Sequence, residues 1–245
     1  MKILNRPLLL FLVFSTVCVF KTYSQDAVSI LWKVDKVIYA PKDKQGSVKM
    51  ILTDKSGNEK IREAVMMQKG IDKKLYRYTK PESQVGVATL SLPGEVTWLY
   101  MPAFGKPKKI DLLTRSQAFT GTDFSYEDME PRTYSDRFIP KLLEVKETEY
   151  VLELMPKSAQ SEYSKVIAHI HRVNSYPVLL EYFDKQKKKI KEATYVYEKI
   201  GSYWNAKEVT MTDLRKSHST RTIMSDVKFD QGLTDDLFTV EKLKQ

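Results

Sequence analysis

Beyond Pro41 the chain is a succession of short segments in which apolar and polar residues alternate, and a period of two is the pattern of a strand with one face buried. "SVKMILTDKSGNEKIREAVMMQKG" predicts a hairpin whose strands meet at Asp54, Lys55, Ser56, Gly57 and Asn58, a turn rich in residues that tolerate positive φ. "KLYRYTKP" and "EVTWLYMP" predict short strands stopped by Pro81 and Pro102. "TEYVLELMPK", "SKVIAHIHR", "PVLLEYFD", "KIKEATYVYEKI", "YWNAKEVTMTDL" and "HSTRTIMSDVKF" then arrive roughly every 10 to 15 residues with turn signals between them. Such spacing predicts a mainly β (α+β) protein: a large antiparallel meander forming a curved sheet or incomplete barrel. One amphipathic helix precedes it, "DAVSILWKVDKVI", with Val28, Leu31, Val34, Val37 and Ile38 on a shared stripe and Asp26 near its start. In "TEYVLELMPK" Tyr150, Leu152 and Leu154 share one face while Val151 and Met155 lie on the other. Apolar groups on both faces fit either ordinary surface apolars over a single core or a second apolar surface lining a cavity.

The amino terminus constrains where this sheet works. Lys2 and Arg6 precede an apolar run from Leu8 to Phe20, followed by the small residues Thr22 and Ser24, the layout of a cleavable signal peptide over residues 1–24. The run is about 13 residues, short of the roughly 20 a membrane-crossing helix needs. Cys18 follows Val17, where a lipoprotein signal requires a small residue, so cleavage is expected after Ser24, leaving one domain over residues 25–245 in the periplasm. Removing Lys2, Arg6 and Lys21 from the 40 basic residues leaves 37 against 31 acidic ones, a net charge of +6. The single cysteine leaves too, so the exported domain must be held by its core, without disulfides. The basicity is mild and spread along the chain, and no nucleic-acid recognition motif accompanies it.

The stretch "RSQAFTGTDFSYEDM", residues 115–129, concentrates aromatic, hydroxyl and carboxylate side chains around one glycine. Phe119, Phe124 and Tyr126 offer rigid apolar area, Gly121 lets the backbone bend, and Asp123 and Asp128 can cap backbone N–H groups. As acid and base of a hydrolase, Asp123, Glu127 and Asp128 are poorly spaced, because the two carboxyl groups must face each other across a cleft. As a calcium loop the stretch fails, since Phe124 and Tyr126 interrupt the acids. His169 and His171 share a strand face but have no third ligand nearby in sequence, and His218 lies in a polar strand start, so no metal site is expected. Nucleophile, zinc and phosphate-loop motifs are absent, and no catalytic residue or cofactor is expected.

"WLYMPAFGKPKKIDLLTRSQAFTGTDFSYEDM", residues 98–129, resembles the signature of the bacterial outer membrane lipoprotein-sorting proteins, relatives of the periplasmic lipoprotein carrier LolA. "YVLELMPKS", "YSKVIAHIHR", "PVLLEYFDK", "KIGSYWNAKEVTMTDL" and "SDVKFDQGLTDDLFTVEKLK" follow that family's carboxy-terminal strands in order, and "ILWKVDKV" fits its first helix, so the resemblance spans roughly residues 26–244. The chain departs from the family at "RYTKPESQVGVATLSLPG", where a phenylalanine-rich stretch is usual. The resemblance implies an unclosed, strongly curved antiparallel β-barrel, with helices as a lid over an apolar cavity that holds lipid or lipoprotein acyl chains. It makes Trp98, Tyr100, Phe104, Phe119, Phe124 and Tyr126 candidates for that cavity or its rim, with Gly105, Gly121, Asp123 and Asp128 shaping the loops. The aromatics of residues 119–126 either touch ligand or plug one end of the core.

Two lysine-rich runs complete the candidates. Lys106, Lys108 and Lys109 lie in "GKPKKI", and Lys187, Lys188 and Lys189 lie in "DKQKKKIKE" between two apolar strands. Each is either a solvated turn or a docking point for anionic headgroups or an acidic partner, the latter more so if both lie at one end of the barrel. The expected protein is a monomeric periplasmic carrier, without enzymatic activity, touching membranes transiently. As partners the resemblance implies an inner-membrane exporter of the RND type and an outer-membrane acceptor. The competing readings are an adaptor for such an exporter and a secreted hydrolase of cell-surface polymers.

Overall fold

The computed structural model describes residues 19–111 and 116–245; residues 1–18 of the expected signal peptide lie outside them. Helix α1, Val19–Ile38, runs across the expected cleavage point. Among the described residues no helix is long and apolar enough to cross a membrane.

Among the described residues thirteen strands make one antiparallel sheet. The first half comprises β1 (Asp43–Thr53), β2 (Glu59–Lys69), β3 (Lys73–Lys80), β4 (Ala88–Leu92), β5 (Val96–Tyr100) and β6 (Lys108–Ile110). The second comprises β7 (Phe138–Val145), β8 (Glu149–Pro156), β9 (Lys165–His171), β10 (Pro177–Phe183), β11 (Lys189–Ile200), β12 (Tyr203–Asp213) and β13 (His218–Phe229). Each half is a meander, and the halves join where β1 pairs β13 from Lys44↔Phe229 to Thr53↔Ser219. β6 and β7 are left as unpaired edges, so the sheet does not close. Both edges carry the usual safeguards: β6 is three residues long and bears Lys108 and Lys109, and β7 contains Pro140.

The predicted hairpin is present, its turn held by Asp54, whose carboxylate accepts the N–H groups of Ser56 and Asn58. The alternating segments quoted above all form strands. β4, β6 and β7 were missed because "ATLSL" and "KKI" are too short to display a period and Pro140 interrupts "FIPKLLEV". After β13 the chain forms two 3-10 turns, Asp235–Phe238 and Glu241–Lys244.

The sheet's inner face wraps α1. Val48, Met50 and Leu52 of β1, Ala64 and Met66 of β2, Tyr76 and Tyr78 of β3, Leu152 and Leu154 of β8 and Met211 of β12 bury themselves in one core with the helix. The helix presents Ala27, Ile30, Leu31 and Val34, rotated from the predicted stripe: Val28 faces solvent beside Trp32. The short helix α2, Tyr134–Arg137, and β7 pack beside it. On the outer face a smaller core joins Leu75, Ala88 and Leu90 to Phe238 and Leu243 of the carboxy-terminal segment. That strap is tied down by Asp43, which accepts the N–H groups of Gln231, Gly232 and Leu233, and by Arg77, which donates to the carbonyls of Lys242 and Leu243.

Candidate functional site

The interior of the half-barrel holds the larger of the two apolar cores among the described residues, and three structures determine its access. The first is the segment after β6. Residues 118–125 fold back as a tight hairpin: Ala118 bridges Ser125, and the Phe119 N–H donates to the Phe124 carbonyl at 2.7 Å. The reversal needs left-handed backbone at Thr120 (φ 49°) and Gly121 (φ 79°), which explains the glycine. Phe119 and Phe124 are 4% and 8% exposed and belong to the main core. Phe119 meets Tyr76 and Tyr126 edge-on, with ring centroids 5.9 and 5.3 Å apart. The aromatics thus plug one end of the inner face.

The plug's carboxylates fasten it. Asp123 is buried and accepts Thr220 Oγ1 at 2.6 Å and lies 2.7 Å from His218 Nδ1, binding the hairpin to β13. Asp128 accepts the Ser125 N–H at 2.7 Å while its own N–H donates to Ser125 Oγ, a reciprocal cap. Its other oxygen accepts from Tyr163 OH at 2.8 Å. The buried Lys191 ammonium lies 3.4 Å from both Asp128 and Glu162. Burial opposes its charge, but the two carboxylates outweigh that and raise its pKa. Glu127 accepts from Ser161 Oγ at 2.5 Å and the Glu162 N–H at 3.1 Å. Arg62 and Tyr78 hold Thr120 from β2 and β3. Asp123 and Asp128 are thus hydrogen-bonded within the loop and to β13 and Tyr163, and Glu127 to residues 161 and 162.

The second structure is a latch on α1. Asp35, buried near the helix's end, accepts the N–H groups of Tyr134 and Ser135 at 2.7 and 3.0 Å, and Tyr39 OH donates to the Arg132 carbonyl at 2.8 Å. Sequence reasoning missed this pair, since an acid in a helix and a tyrosine beyond it give no signal. Around the latch the inner wall is lined with tyrosines, and burial pushes the hydroxyls of Tyr182, Tyr195 and Tyr197 well above their ordinary pKa, keeping them neutral.

The third is the end opposite the plug. There a cavity of about 370 Å³ opens among Ser91, Thr97, Val96, Pro131 and Arg132, and one of about 70 Å³ lies among Ile38, Tyr39, Lys44 and Gln68. The larger is of the size usual for small-molecule sites.

The other candidates are dispersed. Leu99 faces the inner core, so its neighbours Trp98 and Tyr100 turn to the outer face and pack with the Phe238–Leu243 cluster. They do not share an interior with Phe119, Phe124 and Tyr126; the alternation of β5 separates them. Phe104 is 73% exposed in a 3-10 turn that Gly105 ends at φ 63°. The antiparallel order puts the turns before β6 and before β11 at the plug end, so Lys106 and Lys187 to Lys188 share one end of the sheet. Lys189 is engaged with Glu181 at 2.5 Å and Glu192 at 2.8 Å. His169 is bonded to Glu149, and among the described residues no three His, Cys, Asp or Glu side chains are grouped to hold a metal ion.

An open antiparallel half-barrel wrapped around a central helix is a LolA-like fold. A family model described as "uncharacterized protein" matches residues 70–245, and the chain belongs to that family. Its structure is similar to a domain assigned to the outer membrane lipoprotein-sorting proteins, from Vibrio parahaemolyticus, at 24% identity and a TM-score of 0.84, covering 91% of this chain and 100% of that one. It is similar to a DUF1329 family protein from Desulfovibrio piger at 21% identity and a TM-score of 0.83, covering 90% and 99%. A LolA superfamily protein from Nitrosomonas europaea matches at 25% identity and a TM-score of 0.73, covering 87% and 97%. No curated protein matches the chain.

Proposed function

We propose that the protein is a periplasmic carrier for a lipid or for the acyl chains of lipoproteins, acting without a cofactor or a chemical step. The observation that carries this reading is the central core: one face of a sheet that is not closed buries its apolar residues against a helix held at its end by side-chain hydrogen bonds. Displacing α1 would uncover a continuous apolar wall. Each methylene moved from water to such a wall is worth about 0.8 kcal/mol, so a chain of about a dozen carbons would recover roughly 10 kcal/mol, the scale needed to leave a membrane. A cleaved leader ending at Ser24 would deliver the domain to the periplasm as a monomer, between an RND-type inner-membrane exporter and an outer-membrane acceptor. The lysine-bearing turns at the plug end would meet the membrane. The engagement of Asp123, Glu127 and Asp128 in hydrogen bonds that hold the loop supports a carrier over a hydrolase. Titration with a fluorescent fatty-acid probe tests the proposal: saturable binding at one site per chain is expected, and no saturable binding would refute it.

A further inference from the structure

Strand register places a polar row across the inner face at the end opposite the plug. Lys44 of β1 stands opposite Gln68 of β2, Gln68 opposite Lys74 of β3, Lys74 opposite Ser91 of β4, and Ser91 opposite Thr97 of β5. The row lies on the inner face by parity: Lys74 is two residues before Tyr76 and Gln68 two after Met66, both in the main core. One position deeper the side chains become Met66, Tyr76, Thr89 and Leu99. A hydrophobic wall therefore ends in a band of donors.

The two lysines are unusual among the chain's many basic residues. They are half-buried, and among the described residues neither ammonium forms a hydrogen bond or an ion pair. Lys74 lies 5.1 Å from the centroid of the Tyr76 ring and Lys44 5.9 Å from that of Phe229. Glu198, near enough to favour the charge on Lys44, is itself bonded to Asn205 at 3.1 Å and paired with Lys207 at 3.3 Å. Desolvation lowers the Lys74 pKa to about 8, and desolvation with the charge of Lys74 lowers Lys44 to about 8. Two like charges on strands separated by one neighbour, with backbones roughly 10 Å apart, are retained in a place that disfavours both. Among the described residues no carboxylate is paired with either ammonium. The row borders both cavities at this end, with Ser91 and Thr97 lining the larger and Lys44 and Gln68 the smaller. The carboxylates around them belong to Asp72, Glu95, Glu130 and Asp136 in the larger wall, where Glu95 pairs with Arg132, and to Asp43 in the smaller, where it accepts the N–H groups of Gln231, Gly232 and Leu233.

We propose that Lys44 and Lys74 bind the anionic headgroup, a carboxylate or phosphate, of a single acyl-chain amphiphile whose chain enters the interior past Met66 and Tyr76. Ser91 and Thr97, with hydroxyls 3.3 Å apart, supply further hydrogen bonds to it. This rests on the carrier reading and narrows the cargo to an acidic amphiphile.

The test is calorimetric titration of the mature chain with dodecyl phosphate, dodecanol and inorganic phosphate, each below micelle formation, for the parent and for Lys44→Gln, Lys74→Gln and the double variant. Circular dichroism verifies folding, and the single variants serve if the double one is unfolded. The expected result is dodecyl phosphate binding at least tenfold tighter than dodecanol in the parent, a loss of that preference in the variants, and unchanged dodecanol affinity. If dodecanol and dodecyl phosphate bind equally well to the parent and to the variants, the headgroup site is wrong while the carrier reading stands. If neither amphiphile binds, both fail. Inorganic phosphate binding as tightly as dodecyl phosphate would overturn the acyl-chain part, identifying a site for a free anion.

Discussion

Replacing Phe119 with alanine separates the plug from a ligand contact. The side chain is almost wholly enclosed, meets Tyr76 and Tyr126 edge-on, and belongs to a hairpin bonded to β2, β3 and β13. The surroundings are fixed on several sides, so the void cannot collapse readily. Truncations of this kind cost about 3–5 kcal/mol. Against a total stability of about 5–15 kcal/mol this is a large fraction. For a domain of this size each kcal/mol moves the midpoint by about 2–4 °C, so Tm should fall by roughly 6–20 °C. Thermal unfolding followed by circular dichroism, with urea unfolding as a check on cooperativity, measures it. A ligand-facing residue in an empty site would leave Tm nearly unchanged and weaken only probe binding. A Tm within about 2 °C of the parent would therefore refute the plug assignment.

Asp35→Ala removes both hydrogen bonds to the start of α2, worth about 1.5–3 kcal/mol each when the acceptor is charged. Hydrogen exchange of the last turns of α1 should quicken by tenfold or more while the β1–β13 pairing stays protected; equal acceleration in both would show that the residue is no latch. Raising the pH from 7 to 10 should weaken dodecyl phosphate binding as Lys44 and Lys74 lose charge above about 8, while Glu198 and the cavity carboxylates Asp43, Asp72, Glu95, Glu130 and Asp136 stay charged throughout, leaving dodecanol unaffected; a flat profile counts against the lysine pair. Changing Lys106, Lys108, Lys187 and Lys188 together to Gln should reduce sedimentation with anionic vesicles at low salt and matter little at high salt, and equal sedimentation at low salt would make these turns merely solvated. Mass analysis of exported protein should find a chain starting at Gln25, whereas a diacylated chain starting at Cys18 would exclude that maturation.

Most of the sheet was legible because period-two patterning reports one buried face directly. The hairpin at Asp54 and the strands from β8 to β13 are of this kind. β4 escaped because five residues that bury Ala88, Thr89 and Leu90 on two faces have no alternation to read. That same two-sided burial misplaced Trp98 and Tyr100: residue type reveals that an aromatic will be buried, but not on which side of a sheet. The plug's Asp123 and Asp128 were readable as loop-shaping residues because such roles are local. Their partners Thr220, His218 and Tyr163, distant in sequence, were not. Lys44 and Lys74 were hidden among 40 basic residues, although the spacing Lys74, Tyr76, Tyr78 carried a signal of an inward-facing cation.

The central claim is that the interior holds acyl chains, and mass spectrometry of an organic extract of the protein, purified from the periplasm without detergent, tests it most directly. The account predicts acyl-chain lipid in near-equimolar amount, enriched in species with a carboxylate or phosphate headgroup. Protein that carries no lipid, and takes up none after incubation with vesicles of the same lipids, would contradict it.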